Sequence, residues 1–265
     1  MGRADMLTVE HLRKSYRSAG SELEVLRDIS FTVNAGEFVT IVGPSGAGKT
    51  TLLRCLSGLL PSSGGKVVLT ETGKVIESPP PEVACVFQDY SRSLMPWSKV
   101  GRNVAIPLKN KIRDRAARWA AVRQALEEVG LDGFDDSYPW QLSGGMQQRV
   151  AIARAIAYRP EFLIMDEPFA SVDAQTRADL EDLVLRVRHD AGLTIVLVTH
   201  DIDEAVYLGD RVIVMSGRPT TVLRTLDVDL PRPRNQVTTK ALPRFTELRT
   251  DVLTLISGTN TGAAR

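Results

Sequence analysis

Gly43-Pro44-Ser45-Gly46-Ala47-Gly48-Lys49-Thr50 sets three glycines, a lysine and a hydroxyl at the spacing G-x-x-x-x-G-K-T, with a second hydroxyl at Thr51. Glycines let successive backbone N–H groups curl around an anion, lysine adds a mobile positive charge, and the hydroxyl suits Mg²⁺. The chemistry implied is the holding of nucleotide phosphates, with Lys49 reaching the outer ones. Two adjacent carboxylates, Asp166 and Glu167, form a second candidate group. Asp166 suits a Mg²⁺-linked carboxylate, and Glu167 is placed to orient or deprotonate an attacking water. Taken alone, the same pair would serve equally as a helix cap. Ser143-Gly144-Gly145 is a third group, a hydroxyl and two free N–H groups suited to another anion.

These groups need elements to position them. The apolar run Phe38-Val39-Thr40-Ile41-Val42 precedes the glycine-rich turn, and Leu52, Leu53, Leu56 and Leu59 follow it at helical spacing, giving strand, turn, helix. Phe162-Leu163-Ile164-Met165 reads as a buried strand delivering Asp166, and the helix after Ser143 delivers the second anion site. Further strands are expected at Val83–Phe87, Thr194–Val198, around Val212-Ile213-Val214, and at Thr221-Val222-Leu223. Helices are marked by Trp119, Val122, Leu126 and Val129, by Leu180, Leu183, Val184 and Val187, and by a short run from Asp201. Asp114 is the N-cap expected for the first of these, and Gly130 stops it. Strand and helix alternating after the phosphate loop predict an α/β chain with a mainly parallel sheet core covered on both faces.

Ahead of that core, residues 6–33 read as antiparallel strands joined by a polar loop at Ser18–Ser21, and Lys66 to Ile76 as a hairpin turning near Thr72-Gly73. This predicts an antiparallel β annex. A C-terminal helix over about 240–256 carries Phe245, Leu248, Val252 and Leu255, spacing that any docked helix needs. The tail 257–265 is small and polar and is expected to be disordered.

Of the 265 residues, 43% are hydrophobic and 25% charged, with a net charge of +1, as in ordinary globular domains without a field for nucleic acid. Cys55 and Cys85 follow no metal or disulfide spacing and are expected to pack as small apolar groups. No apolar stretch approaches the roughly 20 residues of a membrane span, so a cytoplasmic chain is expected.

Leu142-Ser143-Gly144-Gly145-Met146-Gln147 narrows the reading, because it resembles the LSGGQ signature of the ATP-binding cassette (ABC) family, with Met146 read as an insertion. Other motifs of that family fall in order over residues 7–217: Tyr16 for the aromatic that stacks on adenine, Gln88 for the Q-loop, Ser171-Val172-Asp173 for the D-loop, and His200 for the switch histidine. Alone, Tyr16 reads as a packing residue and His200 as a satisfied core histidine. Two departures are small. Thr50 replaces the commoner Ser and keeps its hydroxyl, and Val172 stands where Leu is usual.

The resemblance implies a P-loop NTPase of ABC type over residues 1–256, with a helical subdomain over about 89–158 and ATP and Mg²⁺ as cofactors. It assigns nucleotide binding to Tyr16, Gly43, Pro44, Ser45, Gly46, Ala47, Gly48, Lys49, Thr50 and Thr51. It assigns the metal to Thr50, Gln88 and Asp166, and catalysis to Glu167, His200, Lys49 and Gln88. Ser143, Gly144, Gly145, Gln147 and Asp173 would act in trans on the nucleotide of a second copy, which implies a homodimer.

Segments from Phe87-Gln88-Asp89 through Leu94-Met95-Pro96-Trp97 to Asn103-Val104-Ala105, at Thr199–Ala205, and at Asp229–Arg234 look like the nitrate/sulfonate/taurine importer ATPases. That resemblance implies a separate membrane permease, an extracytoplasmic solute-binding protein and a position on the inner face of the membrane. Leu94, Met95 and Trp97 would contact the permease, or serve as ordinary core. The alternative is a soluble ABC ATPase clamping another macromolecule, for which near-neutral charge disfavours nucleic acid. A small-molecule kinase would have no use for the signature.

Overall fold

The computed structural model describes residues 5–18, 21–89, 93–170 and 172–260. Ser171 of the expected D-loop, the loop tip at 19–20 and the tail residues 261–265 lie outside them. The chain divides into two compact units, one formed by the chain up to Pro80 with the chain from Gly192 onward, the other by Pro81–Ala191.

In the first unit, β1 (Asp5–Ser18) and β2 (Ser21–Asn34) form a long antiparallel hairpin, Asp5 opposite Asn34 and Ser18 opposite Ser21. The other edge of β1 pairs with β4 (Gly64–Leu69), and β5 (Lys74–Val75) completes the order β2-β1-β4-β5. This is the expected annex. Leu7, Val9 and Leu12 of β1 and Val25, Leu26, Ile29 and Val33 of β2 are buried, which fixes the register because a one-residue slip would expose them.

All five residues of β3 (Phe38–Val42) are buried, as are all five of β8 (Thr194–Val198). Such uninterrupted apolar runs are the mark of parallel strands covered on both faces. β3 runs parallel both to β8 and to β9 (Arg211–Met215), and β10 (Val222–Asp227) closes the edge antiparallel to β9. Helices α1 (Lys49–Leu56), α6 (Ile202–Leu208) and α7 (Pro243–Asn260) belong to this unit. α7 begins at Pro243, whose fixed φ suits a first helical turn. It continues through residues 257–260, which the sequence placed in the tail, because each added residue extends a ladder already nucleated.

In the second unit, β6 (Val83–Val86) runs parallel to β7 (Phe162–Asp166). Around them stand α2 (Val100–Ala105), α3 (Arg115–Glu128), a 3₁₀ turn at Pro139–Gln141, α4 (Gly144–Ala157) and α5 (Ala174–Ala191). The expected helical segment 89–158 lies inside this unit, which also takes in the strand pair and α5. Asp114 caps α3 by accepting the Ala117 N–H at 2.7 Å, and Gly130 leaves it at φ +71°. α2 and α3 both pack on α4, and a side chain at Gly101 of α2 would meet Trp119 of α3 at 2.7 Å. Among the described residues, no helix is long and apolar enough to cross a membrane.

Candidate functional site

β3 delivers the glycine-rich turn. Gly46 and Gly48 adopt φ of +76° and +91°, backbone that L side chains adopt only at a cost. Gly48 is the N-cap of α1 and offers no side-chain cap, and the first turn carries no acidic residue. The positive end of α1 is therefore uncompensated by its own side chains, which fits a phosphate. Lys49, only 7% exposed, donates from Nζ to the carbonyls of Gly43 at 2.9 Å and Pro44 at 3.1 Å. The ammonium is thus held over the turn it would serve. Ala47 is buried and Pro44 half-buried, while Ser45 and Thr50 are exposed.

The turn is shaped from beneath by parts far away in sequence. A Cβ on Gly48 would lie 2.5 Å from Val25 Cγ1 of β2, so only glycine fits there. Thr220, fully buried, donates its hydroxyl to the Ala47 carbonyl. Its N–H donates to Val25 at 2.9 Å, and its carbonyl accepts from the Arg27 N–H at 2.8 Å. Thr220 therefore rivets β2 to the phosphate loop. Nothing in the local sequence marks Thr220, because its partners come from residues 25–27 and 47.

Tyr16 comes alongside. It is 40% exposed, its hydroxyl approaches Thr51 Oγ1 at 3.5 Å, and Lys14 Nζ lies 5.4 Å from its ring centroid. An exposed aromatic beside the first turn of α1 suits base stacking better than packing. His200 follows β8, the strand next to β3, and Thr199 N–H donates to the Ile41 carbonyl at 3.1 Å. The His200 side chain is exposed, unlike a core histidine. The first unit therefore gathers Tyr16, the phosphate loop and His200.

The second unit gathers the carboxylates. Val86 of β6 is in register with Met165 of β7, so Gln88 and Glu167 leave adjacent parallel strands at the same offset. Gln88 Nε2 donates to Glu167 Oε2 at 3.0 Å. Glu167 sits at φ +44°, a conformation costing a non-glycine residue about 1–3 kcal/mol and found most often at functional sites. Asp166, 6% exposed, ends β7 as expected. Asp166 and Gln88 in this unit, and by itself the Thr50 hydroxyl in the first, are hard oxygen donors of the kind Mg²⁺ takes.

The signature segment lies in the same unit. Ser143 is exposed and caps α4, its hydroxyl accepting the Met146 N–H at 3.3 Å, and Gly144 is exposed beside it. Gly145 is required by contact, since a Cβ there would meet Thr176 Cγ2 at 2.4 Å. Thr176 is held by Asp173, which accepts its N–H at 3.0 Å and its hydroxyl at 2.7 Å. The backbone bond from Thr176, then its hydroxyl, draws the Asp173 pKa below the usual carboxylate range. Asp173 and the signature are thereby locked together through Thr176, a residue the sequence reading missed.

Gln147 departs from expectation. Its amide turns back to the carbonyls of Pro139 at 3.0 Å and Leu142 at 3.2 Å, bracing the preceding turn instead of facing outward with Ser143. α4 is unbroken from Gly144, so Met146 takes the helical position after Gly145 instead of being an insertion. Gln147 follows it one turn on from Ser143, and its amide is taken up by those two carbonyls. Of the expected permease contacts, Leu94 is buried, while Met95 is 39% and Trp97 77% exposed. Buried Asn103 knits their loop, donating to the carbonyls of Met95, Ser98 and Lys99 and accepting the Met95 N–H at 2.8 Å.

Comparison with known proteins matches residues 26–170 to the family model described as ABC transporter. An uncharacterized ABC transporter ATP-binding protein, MJ0412 of Methanocaldococcus jannaschii, is 44% identical, covering 94% of this chain and 91% of that one. The aliphatic sulfonates import ATP-binding protein SsuB of Bacillus thuringiensis is 38% identical over 93% of this chain and 94% of its own length. The nitrate import ATP-binding protein NrtC of Synechococcus elongatus is also 38% identical, over 94% of this chain, which spans only 38% of that longer protein. Among solved structures, the dimeric ATP-binding cassette MJ0796 in a post-hydrolysis state bound to ADP and Pi superposes with a TM-score of 0.73 at 30% identity, covering 84% of this chain and 99% of that one. With cradle, carboxylates and signature in place and these likenesses running along nearly its whole length, the chain belongs to the ABC transporter family, as an ATP-binding subunit with ATPase activity.

Proposed function

We propose that residues 1–256 form the ATPase of an importer for a small anionic solute, of the nitrate or sulfonate kind, working with a separate permease on the inner face of the membrane. The observation that carries this reading is the similarity to SsuB, an import ATP-binding protein matched over 94% of its length. In this reading Tyr16 stacks on the adenine of ATP, and the N–H groups of residues 43–50 cradle its phosphates. Lys49 leaves the Gly43 and Pro44 carbonyls for the outer phosphates. Glu167, with its carboxylate steered by Gln88, takes the proton of the attacking water, and His200 senses the γ-phosphate. Thr50, Gln88 and Asp166 would hold Mg²⁺, which when bound would supply charge neutralisation at the phosphates. Ser143, Gly144 and Gly145 close on the nucleotide of a second copy, and Asp173 holds them in place through Thr176. Catalysis is then positioning and charge stabilisation, as phosphoryl transfer requires.

The test is reconstitution. Co-expressed with any multi-span permease found encoded beside its gene, the chain is expected to co-purify, and its ATPase rate to rise severalfold with binding protein loaded with nitrate or an aliphatic sulfonate. A complex that forms but ignores every small oxyanion would remove the solute class. Absence of any permease complex would remove the importer itself.

A further inference from the structure

We propose that Arg234 is a positioning residue for His200, acting through α6; the proposal rests on the reading of His200 as the γ-phosphate sensor. His200 stands directly before Asp201, the N-cap of α6, whose carboxylate accepts the Glu204 N–H at 3.1 Å. Wherever α6 goes, His200 goes too. α6 has seven residues, about 10 Å of helix, too short to hold its own conformation in water. Its placement must come from what touches it.

Sideways, α6 is fixed against β3. The Thr40 hydroxyl donates to the Ala205 carbonyl at 3.0 Å, and Gly209 leaves no room for a side chain, with Thr40 Oγ1 2.8 Å and the Ala205 carbonyl 2.9 Å from a Cβ there. Lengthwise, the constraint comes from Arg234. Its guanidinium donates to the carbonyls of Tyr207, of Gly209 at 2.7 Å and of Val206 at 3.4 Å, the acceptors a helix end leaves unpaired. A planar cation with several donors suits that role twice over, by matching diverging carbonyls and by facing the negative end of the helix.

The rest of the C-terminal segment holds Arg234 in place and touches α6 again. Arg232 pairs with Asp210, whose other carboxylate oxygen accepts the Phe38 N–H at 3.0 Å. Lys240 Nζ lies 4.8 Å from the ring centroid of fully buried Tyr207, and Arg249 of α7 pairs with Asp203 at 2.7 Å. Segment 232–249 therefore clasps the helix that carries the switch histidine at both its ends. A C-terminal helix docked only for stability needs its apolar face, here Phe245, Leu248 and Val252, and has no need to cap a neighbouring helix.

The full chain serves for the test, as Arg234→Ala, Arg234→Lys, His200→Ala and the Arg234→Ala/His200→Ala double variant, assayed for ATPase rate, ATP affinity and amide exchange in residues 205–208. Arg234→Ala is expected to lower kcat about tenfold with ATP affinity within about twofold, and Arg234→Lys to recover part of the loss. Exchange in 205–208 should quicken in Arg234→Ala. In the His200→Ala background the same change should cost no more than about twofold, because residues acting as one unit are not additive. A full tenfold loss on top of His200→Ala, or an unchanged kcat in Arg234→Ala, would overturn the proposal. Loss of fold in both Arg234 variants would assign the residue to stability alone and overturn it as well. Full turnover in His200→Ala by itself would instead bring down the sensor reading on which the proposal rests.

Discussion

Glu167 combines three unusual circumstances: a left-handed backbone, an amide donor aimed at its carboxylate, and a place directly after a buried strand. The strain is tolerated because β7 and the turn to Ala170, whose N–H bonds the Glu167 carbonyl at 3.3 Å, fix the backbone on both sides. Glu167→Gln keeps the shape and still offers an oxygen to Gln88, so it removes the proposed base and little else. Turnover is expected to fall by about a hundredfold or more while ATP affinity holds. With turnover blocked, Mg-ATP should also shift the chain to the dimer position in gel filtration. A fully active variant would take Glu167 out of the mechanism. Cys55 shows the opposite use of burial: enclosed at 3% exposure, its thiol is pushed up from an ordinary 9.0 to about 11, mainly by desolvation, so it packs as an apolar group.

At the scale of elements, the phosphate loop depends on β2 as much as on β3. Gly48→Ala places a methyl 2.5 Å from Val25 Cγ1 and forces alanine to φ +91°. The backbone alone costs about 1–2 kcal/mol. Nucleotide affinity is expected to drop about tenfold or more in a fluorescent-nucleotide titration, and a companion Val25→Ala to restore part of it by removing the overlap but not the strain. Full affinity in Gly48→Ala alone would show that β2 does not shape the loop. The elements themselves were legible. Apolar runs such as Phe38–Val42 and Thr194–Val198 declare buried strands, and Asp114, Ser143 and Asp201 each cap the helix expected after them. What stayed hidden was contact between distant segments. The hydroxyl of Thr220 on Ala47, the methyl of Thr176 against Gly145 and the fork of Arg234 on α6 leave no local spacing to read. The bonds of the Gln147 amide to the Pro139 and Leu142 carbonyls were hidden in the same way.

For the whole molecule, the residues proposed to hold the chain's own nucleotide and those proposed to handle water belong to different compact units. Affinity and turnover should therefore be separable by mutation. If the signature works across a dimer, Ser143→Arg and Lys49→Ala homodimers should each be inactive. Their mixture should regain turnover, because the heterodimer keeps one site with neither lesion, up to about a quarter of the wild-type rate for random pairing. A mixture as dead as its parents would confine the signature to its own chain. The division of the chain also governs its manufacture. Among the described strands, β3 bonds to β8 and β9, both from the chain beyond Gly192. On the ribosome its five buried residues, four of them apolar, must wait unpaired on both edges while the whole of Pro81–Ala191 is synthesised. A chain that stops early is thus left with a bare hydrophobic strand, an invitation to aggregation and to chaperones. The loop proposed to grip ATP is among the first chemistry translated and among the last to take shape.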